Sequence, residues 1–208
     1  PWAELEPHLK ITISTSQTIV GGLLLAAWSV GTSVALLRWI TQGIKLRRFL
    51  NHCYAMPADE VTDLFVTAQI PFDNQKMPSV MVHDGLEGPF CRQVHSPTIV
   101  LPRFLVEGAI EDLRYVLLHE MEHLKTQHPL QLFWQQIVQV TCWFHPAVWR
   151  AGSRASLMRE YLCDEAAIRQ DANCAGYLRA LLRIAQNCQE TRIPSAIGFG
   201  RAPSEIML

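Results

Sequence analysis

The sequence predicts an α+β chain, with an N-terminal transmembrane helix followed by a mostly helical domain that carries a small antiparallel sheet. Three observations predict it. No charged residue occurs from Ile11 to Leu37. Short apolar runs bounded by Pro89, Pro97 and Pro102 fall between residues 79 and 101. From Ile110 onward, apolar residues recur at helical spacing. The 208 residues carry a formal net charge of −1, with 49% hydrophobic and 18% charged residues. That hydrophobic share excludes a disordered chain, and the low charged share fits membrane contact. Near-neutral charge gives no support for a surface that neutralises phosphates, so no direct nucleic-acid contact is expected. The six cysteines form no C-x-x-C pair and are expected to be reduced and mostly buried. The chain starts at Pro1 and reads as a piece of a longer protein.

Residues 1–18 are expected to lie outside the membrane, and 19–40 to cross it. The apolar heart from Ile19 to Leu37 is about 28 Å long as a helix, close to the hydrocarbon thickness of a bilayer. Gly21, Gly22 and Gly31 are poor in a soluble helix but common in membrane helices. Arg38, Lys45, Arg47 and Arg48 follow the span, whereas Glu4, Glu6 and Lys10 precede it. The positive-inside rule puts the C-terminal side in the cytoplasm. Residues 41–78 are expected to form a cytoplasmic linker near the membrane, with a basic helix over 43–56 ending at Pro57. A short helix from Asp59 to Thr67 takes Asp59 as N-cap, and Pro71–Met77 reads as loop. Strand candidates are Ser79–His83, followed by an Asp84-Gly85 turn, then Phe90–Val94 and Thr98–Leu101.

Ile110, Leu113, Val116, Leu117, Met121 and Leu124 make one apolar helical stripe. The same helix contains His119-Glu120-Met121-Glu122-His123. Histidines at i and i+4 project from one face, so both imidazoles can reach one zinc ion at about 2.0–2.1 Å. Zinc lowers the pKa of a water it holds to about 7, and a carboxylate beside the first ligand can take its proton. Glu120 and Glu122 both compete for that role on sequence alone. The metalloprotease pattern assigns it to the residue after the first His, which is Glu120, and leaves Glu122 as a solvated or supporting acid.

A hydrolytic zinc site needs a third protein ligand. Glu160 is the best candidate, with Asp164 at i+4 to accept an N–H from a ligand imidazole. Taken alone, these two acids would read as a solvated helix face. Beside H-E-x-x-H they read as part of the site.

H-E-x-x-H followed by E-x-x-x-D resembles the gluzincin-type membrane proteases. Ile99-Val100-Leu101-Pro102, His145-Pro146-Ala147-Val148-Trp149 and Arg159-Glu160 through Cys163-Asp164-Glu165-Ala166 further resemble the M56 metallopeptidases, the family of BlaR1/MecR1-type antibiotic-sensing transducers. The resemblance covers about residues 79–170. It implies a cell-membrane protein with a cytoplasmic zinc protease domain at 79–190, and a protein or peptide substrate that in the best-known members is a DNA-binding repressor. It also implies His119, His123 and Glu160 as zinc ligands, Glu120 as the catalytic base and Asp164 as the supporting carboxylate. The family often has Asp a few residues after the second His, where this chain has His128, and His128 is not assigned to the metal.

Pro129–Trp149 has no formal charge and is long enough to suggest a second span. A crossing would put His123 and Glu160 on opposite sides of the bilayer, where they could not share an ion. Gln131, Gln135 and Gln139 also form a polar line that a lipid-facing helix would avoid. The segment is therefore expected to be one helix over 129–143, a bend at Cys142–His145, and a second helix over 146–170 with Pro146 at its first position. His145 is expected to cap that helix and not to bind metal. Another helix is expected over 174–189, then a loop over 191–208.

A substrate strand is expected to add to the sheet edge near Phe90–Val94. Tyr161, Arg154 and His95 are candidate oxyanion donors. Two other functions compete: a prenyl-protein protease of the M48 type, which shares both metal motifs, and a signalling scaffold that holds metal without cleaving. The retained Glu120 argues against the scaffold, because a structural metal site needs no base.

Overall fold

The computed structural model describes the backbone of residues 2–71, 77–93, 96–171 and 173–190. Most of the 71–77 loop, Val94, His95 and the tail from Thr191 lie outside the described residues. The first element is one helix, α1 (Trp2–Leu50). Its Gln17–Leu50 portion is long and apolar enough to cross a membrane, and none of its most apolar window is buried within the protein. The basic stretch after Arg38 does not form a separate helix over 43–56. No proline interrupts the chain between Trp39 and Leu50, so the helix simply continues to Leu50. Beyond it lies a two-residue strand, β1 (Tyr54–Ala55), in the part expected to remain helical.

α2 (Ala58–Thr67) starts one residue earlier than its N-cap expectation. Pro57 is the cap, and Asp59 sits in the first turn, where the helix dipole favours an anion. Val61 and Phe65 of α2 are buried. β2 (Ser79–His83), β3 (Phe90–Gln93) and β4 (Pro97–Pro102) complete a four-stranded sheet in the order β1-β2-β4-β3. The sheet is mixed and not antiparallel throughout. β3 and β4 pair antiparallel, but β4 lies parallel to β2 with Val80 opposite Ile99 and Val82 opposite Leu101. The reason is burial. Ile99, Val100 and Leu101 are fully buried, so β4 takes an inner position covered on both faces. The Asp84-Gly85 turn then leads away from β2 and does not close a β2–β3 hairpin.

Alternation along β4 sends Ile99 and Leu101 to one face and Val100 to the other. Ile99 and Leu101 join Phe65 of α2 and the buried face of α4 (Ile110–Lys125) in the main core. Val100 and Phe90 meet Leu46, Phe49 and Leu50 at the end of α1. The sheet is thus clamped between the end of α1 and the helix that carries H-E-x-x-H. A short helix, α3 (Arg103–Val106), links β4 to α4.

α5 (His128–Thr141) and α6 (Pro146–Asp171) form the expected hairpin, and α7 (Cys174–Glu190) follows. His145 Nδ1 accepts the backbone N–H of Ala147 at 3.2 Å, as expected of a cap. Between α4 and α5, Gln127 adopts φ 56°, a left-handed conformation that turns the chain sharply after the second histidine. Among the cysteines with described side chains, none is in a disulfide, and Cys91 and Cys163 are buried.

Candidate metal centre

The apolar stripe of α4 faces the sheet, with Leu113, Leu117 and Leu118 almost wholly buried. This fixes the helix about its axis and directs His119, Glu120 and His123 into a cleft of about 670 Å³. The two imidazoles converge as their i, i+4 spacing requires, with Nε2 atoms 3.0 Å apart. A tetrahedral ion with bonds of about 2.0–2.1 Å would set this separation near 3.3 Å.

α6 crosses α4 and brings Glu160 to the same point. Its Oε2 lies 3.5 Å from His119 Nε2 and its Oε1 3.7 Å from His123 Nε2. One ligand atom from each of the three residues falls within 4.8 Å of the others. Two imidazoles and one carboxylate suit a catalytic zinc, which keeps a position open for water or substrate. The imidazoles of His119 and His123 hold the Glu160 carboxyl far below the usual carboxylate range.

Asp164, one turn beyond Glu160, lies 3.0 Å from His119 Nδ1. Burial disfavours the imidazolium of His119, but the Asp164 and Glu160 carboxylates outweigh it and lift the group to about 10. The same anionic surroundings favour a cation at Nε2. Asp164→Ala is expected to weaken zinc affinity or activity by about 10–100-fold, measured by competition with a chromogenic chelator and by substrate cleavage. Parent-level values for both would remove its supporting role.

Glu120 is almost inaccessible, and burial pushes its carboxyl up. Glu122 is not among the residues lining the cleft. Neither are Tyr161 and Arg154, and Arg154 instead lines a separate shallow depression beside Arg150. His95 lies outside the described residues.

Three further residues complete the surroundings, and none was identified as a site residue from sequence. The Cys91 thiol, on β3, hydrogen-bonds to Glu120, and burial followed by that carboxylate pushes the thiol far up, so it stays protonated. Tyr177, on α7, donates its hydroxyl to Asp164 Oδ1 at 2.5 Å. His128 Nδ1 lies 2.8 Å from His123 Nδ1 and 3.5 Å from Cys163 Sγ. Burial, with the adjacent His123, lowers His128 to about 4, so it is neutral and can accept the N–H of His123. It stands where an aspartate is expected by family resemblance, and a neutral imidazole acceptor takes that place. His123, His128 and Cys163 also satisfy the distance condition for a metal group. Using His123 for that group would engage Nδ1, whereas its Nε2 already faces His119 and Glu160.

The His119–His123–Glu160 group, able to hold a metal ion, thus lies in a mostly helical fold with an apolar helix of membrane-spanning length. The chain belongs to the BlaR1 peptidase M56 family, whose model matches residues 6–201. It is also similar to the regulatory protein BlaR1 of Bacillus licheniformis, with 23% identity over 155 residues, 74% of this chain. The aligned region spans 26% of that protein's length. Family and relative associate the chain with membrane-bound signalling metallopeptidases.

Proposed function

We propose that this chain is the catalytic part of a membrane-anchored zinc endopeptidase that acts in regulatory proteolysis. The observation that carries the reading is the meeting of His119, His123 and Glu160 donor atoms within 4.8 Å, beside the buried Glu120, in one cleft. His119, His123 and Glu160 hold zinc in this reading, and Asp164 fixes the tautomer and orientation of His119. Zinc, when bound, polarises a carbonyl and acidifies water. Glu120 takes the proton of the attacking water and delivers it to the leaving amine.

The substrate lies along β3. Among the described residues, no strand pairs with the outer edge of β3. Phe90 and Cys91 of that strand line the cleft, so a peptide added there as a strand would run past Glu120. By family resemblance the substrate is a DNA-binding repressor. The catalytic domain, 79–190, faces the cytoplasm, as the basic flank of α1 supports. Labelling of Lys125→Cys from the outer side of intact cells would refute that orientation.

The test joins metal to chemistry. Purified protein is expected to contain one zinc per chain after reconstitution, and Glu160→Ala to lose most of it together with cleavage of a co-expressed substrate. Elemental analysis that finds no zinc in the parent, or an unchanged amount in Glu160→Ala, would overturn the assignment.

A further inference from the structure

We infer that the α5–α6 hairpin is a re-entrant element, embedded tip-first among the lipid chains of the cytoplasmic leaflet alongside α1. The inference rests on the reading that α1 spans the membrane with its C-terminal side in the cytoplasm.

The first observation is where the hairpin docks. α5 runs antiparallel to α1. Near its start, Phe133 packs against Trp39 with ring centroids 5.6 Å apart and planes tilted by 47°. At its end, the indole N–H of Trp28 donates to the carbonyl of Thr141 at 3.0 Å. Trp143 in the bend packs on Gly31, where even a Cβ would come within 2.1 Å of the indole. The Trp28 and Gly31 contacts fall inside the stretch of α1 that has no charge, and Trp39 lies just past Arg38. Trp28 lies about 18 Å along the helix from Ile40, the expected cytoplasmic end of the span. The tip therefore reaches about half-way through a hydrocarbon core of about 30 Å.

The second observation is that the hairpin is inside out. Its outer surface carries Trp134 at 60% exposure, Phe144 at 59% and Val138 at 50%. Its glutamines turn inward. Gln139 is 3% exposed, and both Gln135 and Gln139 pack against Gly152 of α6. Arg159 is buried in the same seam and donates to Gln135 Oε1 at 2.7 Å and Ser156 Oγ at 2.9 Å. A hairpin in water would place these groups the other way round.

The bend supplies the third. Hydrocarbon cannot hydrogen-bond a free peptide group, so irregular backbone at depth must be satisfied internally. Here Cys142 and His145 N–H groups donate to Val138 and Cys142 carbonyls. Ala147 N–H donates to the His145 ring, and the Trp149 indole donates to the Trp143 carbonyl.

Charge sets the depth. After Lys125 the next formal charges are Arg150 and Arg154 on α6. As α6 climbs from Pro146 these lie about 6 and 12 Å above the tip, which brings Arg154 within snorkelling reach of the headgroups. The hairpin thus enters one leaflet and returns.

The test is nitroxide accessibility in reconstituted vesicles, with native cysteines replaced and zinc content checking the fold. Labels at Val138→Cys and Phe144→Cys are expected to collide more with oxygen than with a water-soluble nickel chelate, as a label at Leu24→Cys on α1 should. A label at Gln170→Cys should show the reverse. In the chain with its native cysteines, brominated acyl chains are expected to quench Trp134 emission, read as the difference between parent and Trp134→Phe. Chelate-dominated collisions at 138 and 144 would overturn the inference in favour of a hydrated hairpin. Low collision with both reagents would overturn it in favour of a covering protein surface. A lipid signature at Leu24→Cys alone would leave the α1 span standing while the hairpin inference fails. Loss of that signature would fail the span itself.

Discussion

Glu120→Ala is expected to lower peptide-bond cleavage by about 10²–10⁴-fold, the usual loss on removing a general base, while most of the zinc stays. The separation follows from position. Glu120 is adjacent in sequence to His119, but its carboxyl is not part of the His119–His123–Glu160 group. It lies against the Cys91 thiol, buried under β3. Deleting it leaves three donors converging on the same point and removes only the proton acceptor. The measurement pairs zinc content with the rate of substrate cleavage. Parent-rate cleavage by Glu120→Ala would overturn the mechanism and bring the non-proteolytic scaffold forward. Loss of zinc together with activity would instead mean that Glu120 holds the site together.

What the sequence made legible follows from the range of the interactions. The H-E-x-x-H geometry is set within one helical turn, so His119 and His123 could be placed together without knowing the fold. Glu160 and Asp164 also share one helix, and the topological argument over Pro129–Trp149 required that helix to return to α4. The His145 cap and the start of α6 at Pro146 were equally local. The sheet was not local. The parallel pairing of β2 with β4 depends on which strand is buried on both faces, and three consecutive buried residues, Ile99 to Leu101, were the available sign of it. Tyr177 was not singled out in the sequence. Its signal was a hydroxyl at the end of an otherwise apolar face, but its partner Asp164 is supplied by packing of α7 against α6. Cys91 reaches Glu120 only because β3 lies at the sheet edge over α4. His128 follows His123 closely, yet its ring turns back because Gln127 adopts a left-handed conformation, which no residue pattern announces. The glutamine line was noticed as unsuited to lipid, and the structure resolves it by pointing Gln135 and Gln139 at Gly152.

His119→Ala is expected to lose both zinc and cleavage, with activity falling at least as far as in Glu120→Ala. His119 holds two roles that no other side chain duplicates. Its Nε2 faces His123 and Glu160, and its Nδ1 faces Asp164 Oδ1, the same oxygen that accepts from the Tyr177 hydroxyl. Alanine leaves one imidazole and one carboxylate as donors, too few for a site that needs three protein ligands. It also leaves the Asp164 and Glu160 carboxylates without the imidazole between them. Zinc content, measured beside Glu120→Ala under the same reconstitution, reads the difference directly: retained when the base is removed, lost when the ligand is removed. Equal zinc in the two variants would show that His119 does not bind the ion, and the neighbouring His123–His128–Cys163 group would then become the place to look for it.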